Sequence, residues 1–140
     1  MDKEYYVVLA QVRLQRAKEL LNEAIELLEK DSYKSANNRA FYAMEKGIKA
    51  LLAMEQTETA THSGTLKQFN YTFIYRGDGT FLPEDYQKIS RCEQIRNASD
   101  YDDFYVASKE ESRQQVDNAK YIVEKIEQYI MKTCGGSAEE

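Results

Sequence analysis

A chain of 140 residues with one proline, 42% hydrophobic and 31% charged residues can bury one core and is too apolar to be disordered throughout. Its formal charge of -5 excludes a broad nucleic-acid surface built on many phosphate contacts and leaves only local basic patches. Two cysteines without a CxxC pair and a single histidine argue against a disulfide framework or a multi-histidine metal site, so neither a metal nor a cofactor is expected. The start, Met1-Asp2-Lys3-Glu4-Tyr5-Tyr6, lacks the basic and apolar regions of a signal peptide. No run reaches the roughly 20 apolar residues that cross a bilayer, so a cytoplasmic protein without membrane contact is expected.

Residues 3 to 29 carry Leu9, Val12, Leu20, Leu21, Ala24 and Leu28 at steps of mostly three and four, which predicts a long amphipathic helix. Asp31 and Ser32 then offer capping oxygens to a second helix through Ala36, Ala40, Phe41, Met44, Ile48 and Leu51, antiparallel to the first. After Glu55 to Thr61 loses the rhythm, a third, shorter helix carries Leu66, Phe69, Phe73 and Ile74, with Ser63 as its expected cap. Arg76-Gly77-Asp78-Gly79 reads as a turn rather than an adhesion signal. Pro83 with Glu84 and Asp85 suits the first turn of a fourth helix, predicted to end near Ser99. A linker from Asp100 to Ala107 leads to Ser108-Lys109-Glu110-Glu111, a capping box for a last helix through Val116, Ile122, Ile126 and Ile130. The fold expected is all-α: an up-and-down four-helix bundle with one additional short helix. It fills a single domain over residues 1–134, with a flexible tail at 135–140.

Three polar groups stand out against this apolar pattern. Arg96 and Asp100, four apart, share a helix face, with Asn97 beside them and Tyr101 toward the flank. Arg39 and Tyr42, three apart, interrupt the second helix. Two readings stand for these groups. In one, Arg39 pairs with a carboxylate such as Asp100 and fixes helix register. In the other, Arg39 and Arg96 bind phosphate in a groove where Tyr42 or Tyr101 stacks on a base. His62 is the one conventional general base, placed in a predicted loop, and either positions a turn or moves a proton. Asp100, Asp102 and Asp103 lack the regular ligand loop of a calcium site. Arg13, Arg16, Lys18, Lys34, Arg39, Lys46 and Lys49 are interleaved with glutamates and read as a solvated face.

Ser32-Tyr33-Lys34-Ser35-Ala36, Asn38-Arg39-Ala40-Phe41-Tyr42-Ala43-Met44, Thr61-His62-Ser63-Gly64 and Arg96-Asn97-Ala98-Ser99-Asp100-Tyr101, in that order, resemble a HEPN domain. The likeness is to its small uncharacterised prokaryotic branch with an Arg-x-x-Ala/Ser-Asp-Tyr signature, and covers about residues 5 to 130. The resemblance implies a homodimeric helical bundle, often encoded beside a minimal nucleotidyltransferase in a toxin and antitoxin arrangement. It also implies nucleotide or RNA ligands. Ribonuclease members carry an arginine, four to six residues, then a histidine, and need no metal. Arg96 matches that arginine, but Tyr101 stands at the first position open to the histidine. The expectation is a noncatalytic binding module using Arg39, Tyr42, Arg96, Asn97, Asp100 and Tyr101. The rival is an endoribonuclease using Arg96 with His62 or Tyr101.

Overall fold

The computed structural model describes the backbone over residues 2–139 and side chains over residues 2–134, so the tail expected at 135–140 lies outside the fully described residues. Five helices follow in chain order: α1 (Lys3–Glu29), α2 (Tyr33–Met54), α3 (His62–Phe69), α4 (Pro83–Tyr101) and α5 (Lys109–Glu139). No strand occurs among the described residues. The predicted all-α bundle with one short extra helix is the observed architecture.

Helix α2 is the axis of the bundle and packs against each of α1, α3, α4 and α5. Its sequence explains why it can. Ala36, Ala40, Ala43, Ala50 and Ala53 are fully covered and let neighbouring backbones approach. Phe41, Met44, Ile48, Leu51 and Leu52 fill the remaining space. Among the residues that α2 leaves half-exposed, Asn38, Arg39, Tyr42, Lys46 and Lys49 form one stripe, at helical steps of one, three, four and three. Helix α1 turns Ala10, Leu14, Ala17, Leu21 and Ala24 toward the core, and α5 contributes Val116, Ala119, Ile122, Val123, Ile126 and Ile130.

The ends of the helices differ from the sequence reading in ways that polar chemistry explains. Asp31 is the turn residue between α1 and α2, at φ 62°, and the N-cap Ser32 makes no side-chain capping bond. Helix α3 is capped by Thr61, not Ser63: the Thr61 hydroxyl accepts from the Gly64 N–H at 2.9 Å. Both hydroxyls stand within one turn, and only backbone direction selects between them. The rhythm of Phe69 and Phe73 persists because α3 continues into a π-helical turn over Asn70–Tyr75. Gly79 then takes φ 90°, which only glycine adopts without strain. Helix α4 starts at Pro83 as expected, and Asp85 accepts from the Leu82 N–H at 2.9 Å and from Lys125 at 2.7 Å. It ends at Tyr101, two residues beyond the predicted stop, so Asp100 and Tyr101 are helical rather than linker. At α5, Ser108 accepts from the Glu111 N–H at 3.1 Å, while the Glu111 carboxylate bonds the Tyr105 phenol instead of closing the box.

Gly47 lies on α2 between α1 and α5: a Cβ there would stand 3.1 Å from Ile126 Cδ1 and 3.9 Å from Ala17 Cβ. We expect Gly47→Ala to be nearly neutral, since a helix-propensity gain of about 1 kcal/mol offsets a small shift of Ile126. Gly47→Leu should destabilise by about 1–3 kcal/mol through overpacking. Urea unfolding measures both, and a leucine variant as stable as the parent would contradict the close approach.

Candidate functional site

Arg96 projects from the last two turns of α4 into the bundle, and its side chain is only 4% exposed. Three aromatic rings surround the guanidinium, with Cζ 5.0 Å from the Phe41 centroid, 5.5 Å from Tyr42 and 5.8 Å from Tyr101. These are cation–π distances, where the negative faces of the rings stabilise the charge. One carboxylate helps: Asp100 Oδ2 lies 3.7 Å from Nη1, an ion pair too long to be a good hydrogen bond. Nε is buried without a partner. A guanidinium has five N–H donors, so this one holds unused donor capacity in a place shielded from water.

The Asp100 carboxylate is fixed from the other side by α2, where Asn38 Nδ2 donates to Oδ2 at 2.9 Å. Arg39 does not pair with Asp100. Its Nη1 donates to Asn38 Oδ1 at 2.6 Å and its Nε donates to Glu23 Oε1 at 2.9 Å. The Arg39 hydrogen bond, followed by the Arg16 charge, holds the Glu23 carboxyl below its ordinary range. A polar chain therefore runs from Glu23 on α1 through Arg39 and Asn38 on α2 to Asp100 and Arg96 on α4. Beneath it, Asn37 Nδ2 donates to Ser99 Oγ at 3.1 Å, both residues being buried. An open cleft of about 590 Å³ lies above this chain, lined among others by Lys34, Asn38, Arg39, Asp100 and Tyr101.

The sequence-predicted residues thus fall into two adjoining layers. Arg39, Asp100 and Tyr101 border the cleft, whereas Arg96 lies below the rings and Tyr42 is half-buried beside it. Asn97 is exposed and is not among the cleft's lining residues. His62 is the first residue of α3, not a loop residue. Its ring packs edge-on against Phe41 and Tyr42, at centroid distances of 5.6 and 5.8 Å, and these are two of the rings that hold Arg96. Its Nδ1 bonds Glu45, a buried carboxylate on α2. Glu45 is the residue that sequence reasoning passed over. Its position within an otherwise apolar face of α2, one turn after Phe41, was the available signal.

A family model described as HEPN domain matches residues 10–129, which contain every element of the site. The chain belongs to the HEPN family. A Methanocaldococcus jannaschii protein that carries the name "Putative toxin" is 26% identical over 118 residues, covering 84% of this chain and 79% of the relative. A second protein of that organism with the same form of name is 32% identical over 92 residues, covering 65% of this chain and 66% of its own. A UPF0332 protein of Thermotoga maritima is 29% identical over 116 residues, covering 82% and 86%. No helix among the described residues is long and apolar enough to cross a membrane, and no group of three metal-ligating side chains occurs there.

Removing the caged side chain should be felt as lost packing. Arg96→Ala empties the space between three rings, and we expect a loss of about 2–4 kcal/mol, in the range of large-to-small core substitutions. Chemical denaturation reads this directly; a loss below about 0.5 kcal/mol, the surface-substitution range, would mean that the guanidinium is not held as described.

Proposed function

We propose that this HEPN protein is a noncatalytic homodimeric module that binds a nucleotide-like, phosphate-bearing ligand or docks a minimal nucleotidyltransferase through the face around Arg96 and Arg39. One observation carries the reading: the Arg96 guanidinium is caged with donors unfilled, and the residue that closes its cage is Tyr101 instead of a histidine. Phe41 is fully buried and Tyr42 half-buried, while Tyr101 is 75% exposed. A turn of that one phenol ring opens the guanidinium to the cleft where Asn38, Arg39 and Lys34 already stand. A planar fork of this kind suits a phosphate or carboxylate acceptor, and Tyr101 then offers a stacking surface for a base.

A second reading rests on His62. The imidazole shares Phe41 and Tyr42 with Arg96, and its bond to buried Glu45 through Nδ1 directs Nε2 away from that carboxylate. This is the way a general base is oriented. In an endoribonuclease His62 would take the 2′-hydroxyl proton while Arg96 stabilises charge on the phosphorus. The toxin names of two relatives are compatible with either version.

Arg96→Met separates structure from function, because an apolar side chain of similar length among the rings keeps packing while removing every donor. We expect this variant to melt within a few degrees of the parent and to bind nucleoside monophosphates and a short oligoribonucleotide at least about tenfold more weakly, a difference of about 1.4 kcal/mol. Unchanged affinity would refute the site. Light scattering should give twice the 16.3 kDa chain mass, and a monomer would remove the homodimer. Wild-type protein incubated with single-stranded RNA in a chelator should leave it intact. Cleavage abolished by both His62→Ala and Glu45→Gln would overturn the noncatalytic reading in favour of the second.

A further inference from the structure

Glutamates neutralise half of the basic residues of α1 and α2. Arg13 pairs with Glu58, Arg16 with Glu19 and Glu23, Lys18 with Glu127 and Arg39 with Glu23. Lys46 and Lys49, like Lys3 and Lys34, are outside these pairs. Among the described residues neither has a carboxylate oxygen within 4.0 Å. Glu45, next in the chain to Lys46, is turned to His62. The two lysines are held near further cations by the packing of α1 on α2, since Arg13 Nη1 donates to the Lys49 carbonyl at 3.2 Å and is thereby pinned to α2.

We propose that the cleft where Arg13 and Arg16 converge on Lys46, one turn before Lys49 on α2, is a phosphate-binding site, separate from the Arg96 cage, for a phosphate group carried by a nucleotide or a phosphodiester chain. The cleft is about 560 Å³ and open, with the stems of Val12, Arg13 and Arg16 as its wall and Gln11 and Gln15 as neutral hydrogen-bonding groups at its side. Glu19 stands at the rim and is held by Arg16. Burial, followed by the charges of Lys49 and Arg13, lowers the Lys46 pKa, with Glu45 opposing and Arg16 adding to the effect. Crowded like charges of this kind are unfavourable in the free protein. In a chain of net charge -5, with carboxylates plentiful elsewhere on the surface, the persistence of Lys46 and Lys49 without a partner fits a place kept for an anion. A phosphate dianion would relieve the repulsion and replace water on a half-buried ammonium.

The placement also says something about the ligand. Lys46 lies two turns beyond Arg39 on the same stripe of α2, about 10 Å along the axis at 1.5 Å per residue. A single phosphate reaches one end of the stripe, and a phosphodiester chain laid along α2 reaches both. The inference does not depend on the role given to Arg96.

Lys46→Gln/Lys49→Gln tests it in the full chain, because both positions are half-exposed and glutamine is a good helix former, so folding is retained. Tripolyphosphate is titrated by calorimetry and a short fluorescent oligoribonucleotide by anisotropy, across about 50–200 mM salt. The double variant is expected to bind both probes at least about tenfold more weakly and to lower the salt slope for the oligonucleotide by about one to two. Lys46→Arg should restore most of the binding. Lys120→Gln, which removes one exposed charge on α5, should change nothing. Competition between the two probes assigns the site to a phosphodiester chain, and tripolyphosphate binding without competition assigns it to a small phosphate ester. Failure of the wild type to bind either probe, or equal affinity and slope in the double variant, overturns the proposal.

Discussion

Burial of one guanidinium between α2 and α4 governs much of this molecule. Arg96 loses its water and recovers little through hydrogen bonds, since among the described residues its only close anion is Asp100 at 3.7 Å and its Nε is unpartnered. The compensation comes from three ring faces and from a chain of polar contacts reaching back to Glu23 on α1. Each member of that chain is useful only in one register of the three helices. A slip of α4 by one residue along α2 would carry Asp100 away from Asn38 and strand a charge in the interior. Apolar surfaces tolerate such slips far better, because methyl groups are nearly interchangeable partners. The polar chain therefore specifies an arrangement that hydrophobic burial only favours.

Helix α2 joins this constraint to function. Because alanines bring four neighbouring helices close, its polar residues lie in the first turn, along the stripe from Asn38 to Lys49 and at a few buried exceptions. Phe41 and Tyr42 form the cage, Glu45 fixes His62, and Lys46 and Lys49 carry unpartnered charge. One element thus presents an aromatic, an acidic and a basic feature within three turns. The rigidity of a fully packed helix keeps their spacing constant, which a loop could not do.

Periodicity made the helices legible, and with them the architecture. The series from Tyr33 to Leu52 and from Val116 to Ile130 each hold one apolar face, and nothing else buries them as economically as neighbouring helices. Choices between equivalent polar partners were not legible. Arg39 pairs with Glu23 instead of Asp100, and that outcome depends on the angle at which α1 crosses α2, which no local pattern encodes. Thr61 rather than Ser63 caps α3 for a similar reason: both offer a hydroxyl, and the path of the preceding loop decides. The end of α4 was misplaced because Asp100 and Tyr101 have poor helix propensity, yet contacts with Asn38 and Arg96 hold them in the helix. Tertiary contacts override propensity most readily in a last turn, where only one or two residues need support.

The same turn carries the chemical distinction that separates the two functional readings. At the position of Tyr101, where ribonuclease relatives by resemblance carry histidine, an imidazole and a phenol behave oppositely toward a buried arginine. A protonated imidazole repels the guanidinium, so placing one there favours the neutral ring that accepts a proton. A phenol ring turns its negative face to the cation, stabilising the closed cage. The exchange thus replaces a proton acceptor with an aromatic cover over the same donors. That cover is a ring 75% exposed, resting on the guanidinium. Whether His62 supplies the missing base then depends on geometry already set by Glu45, since an imidazole tied at Nδ1 can take a proton only at Nε2.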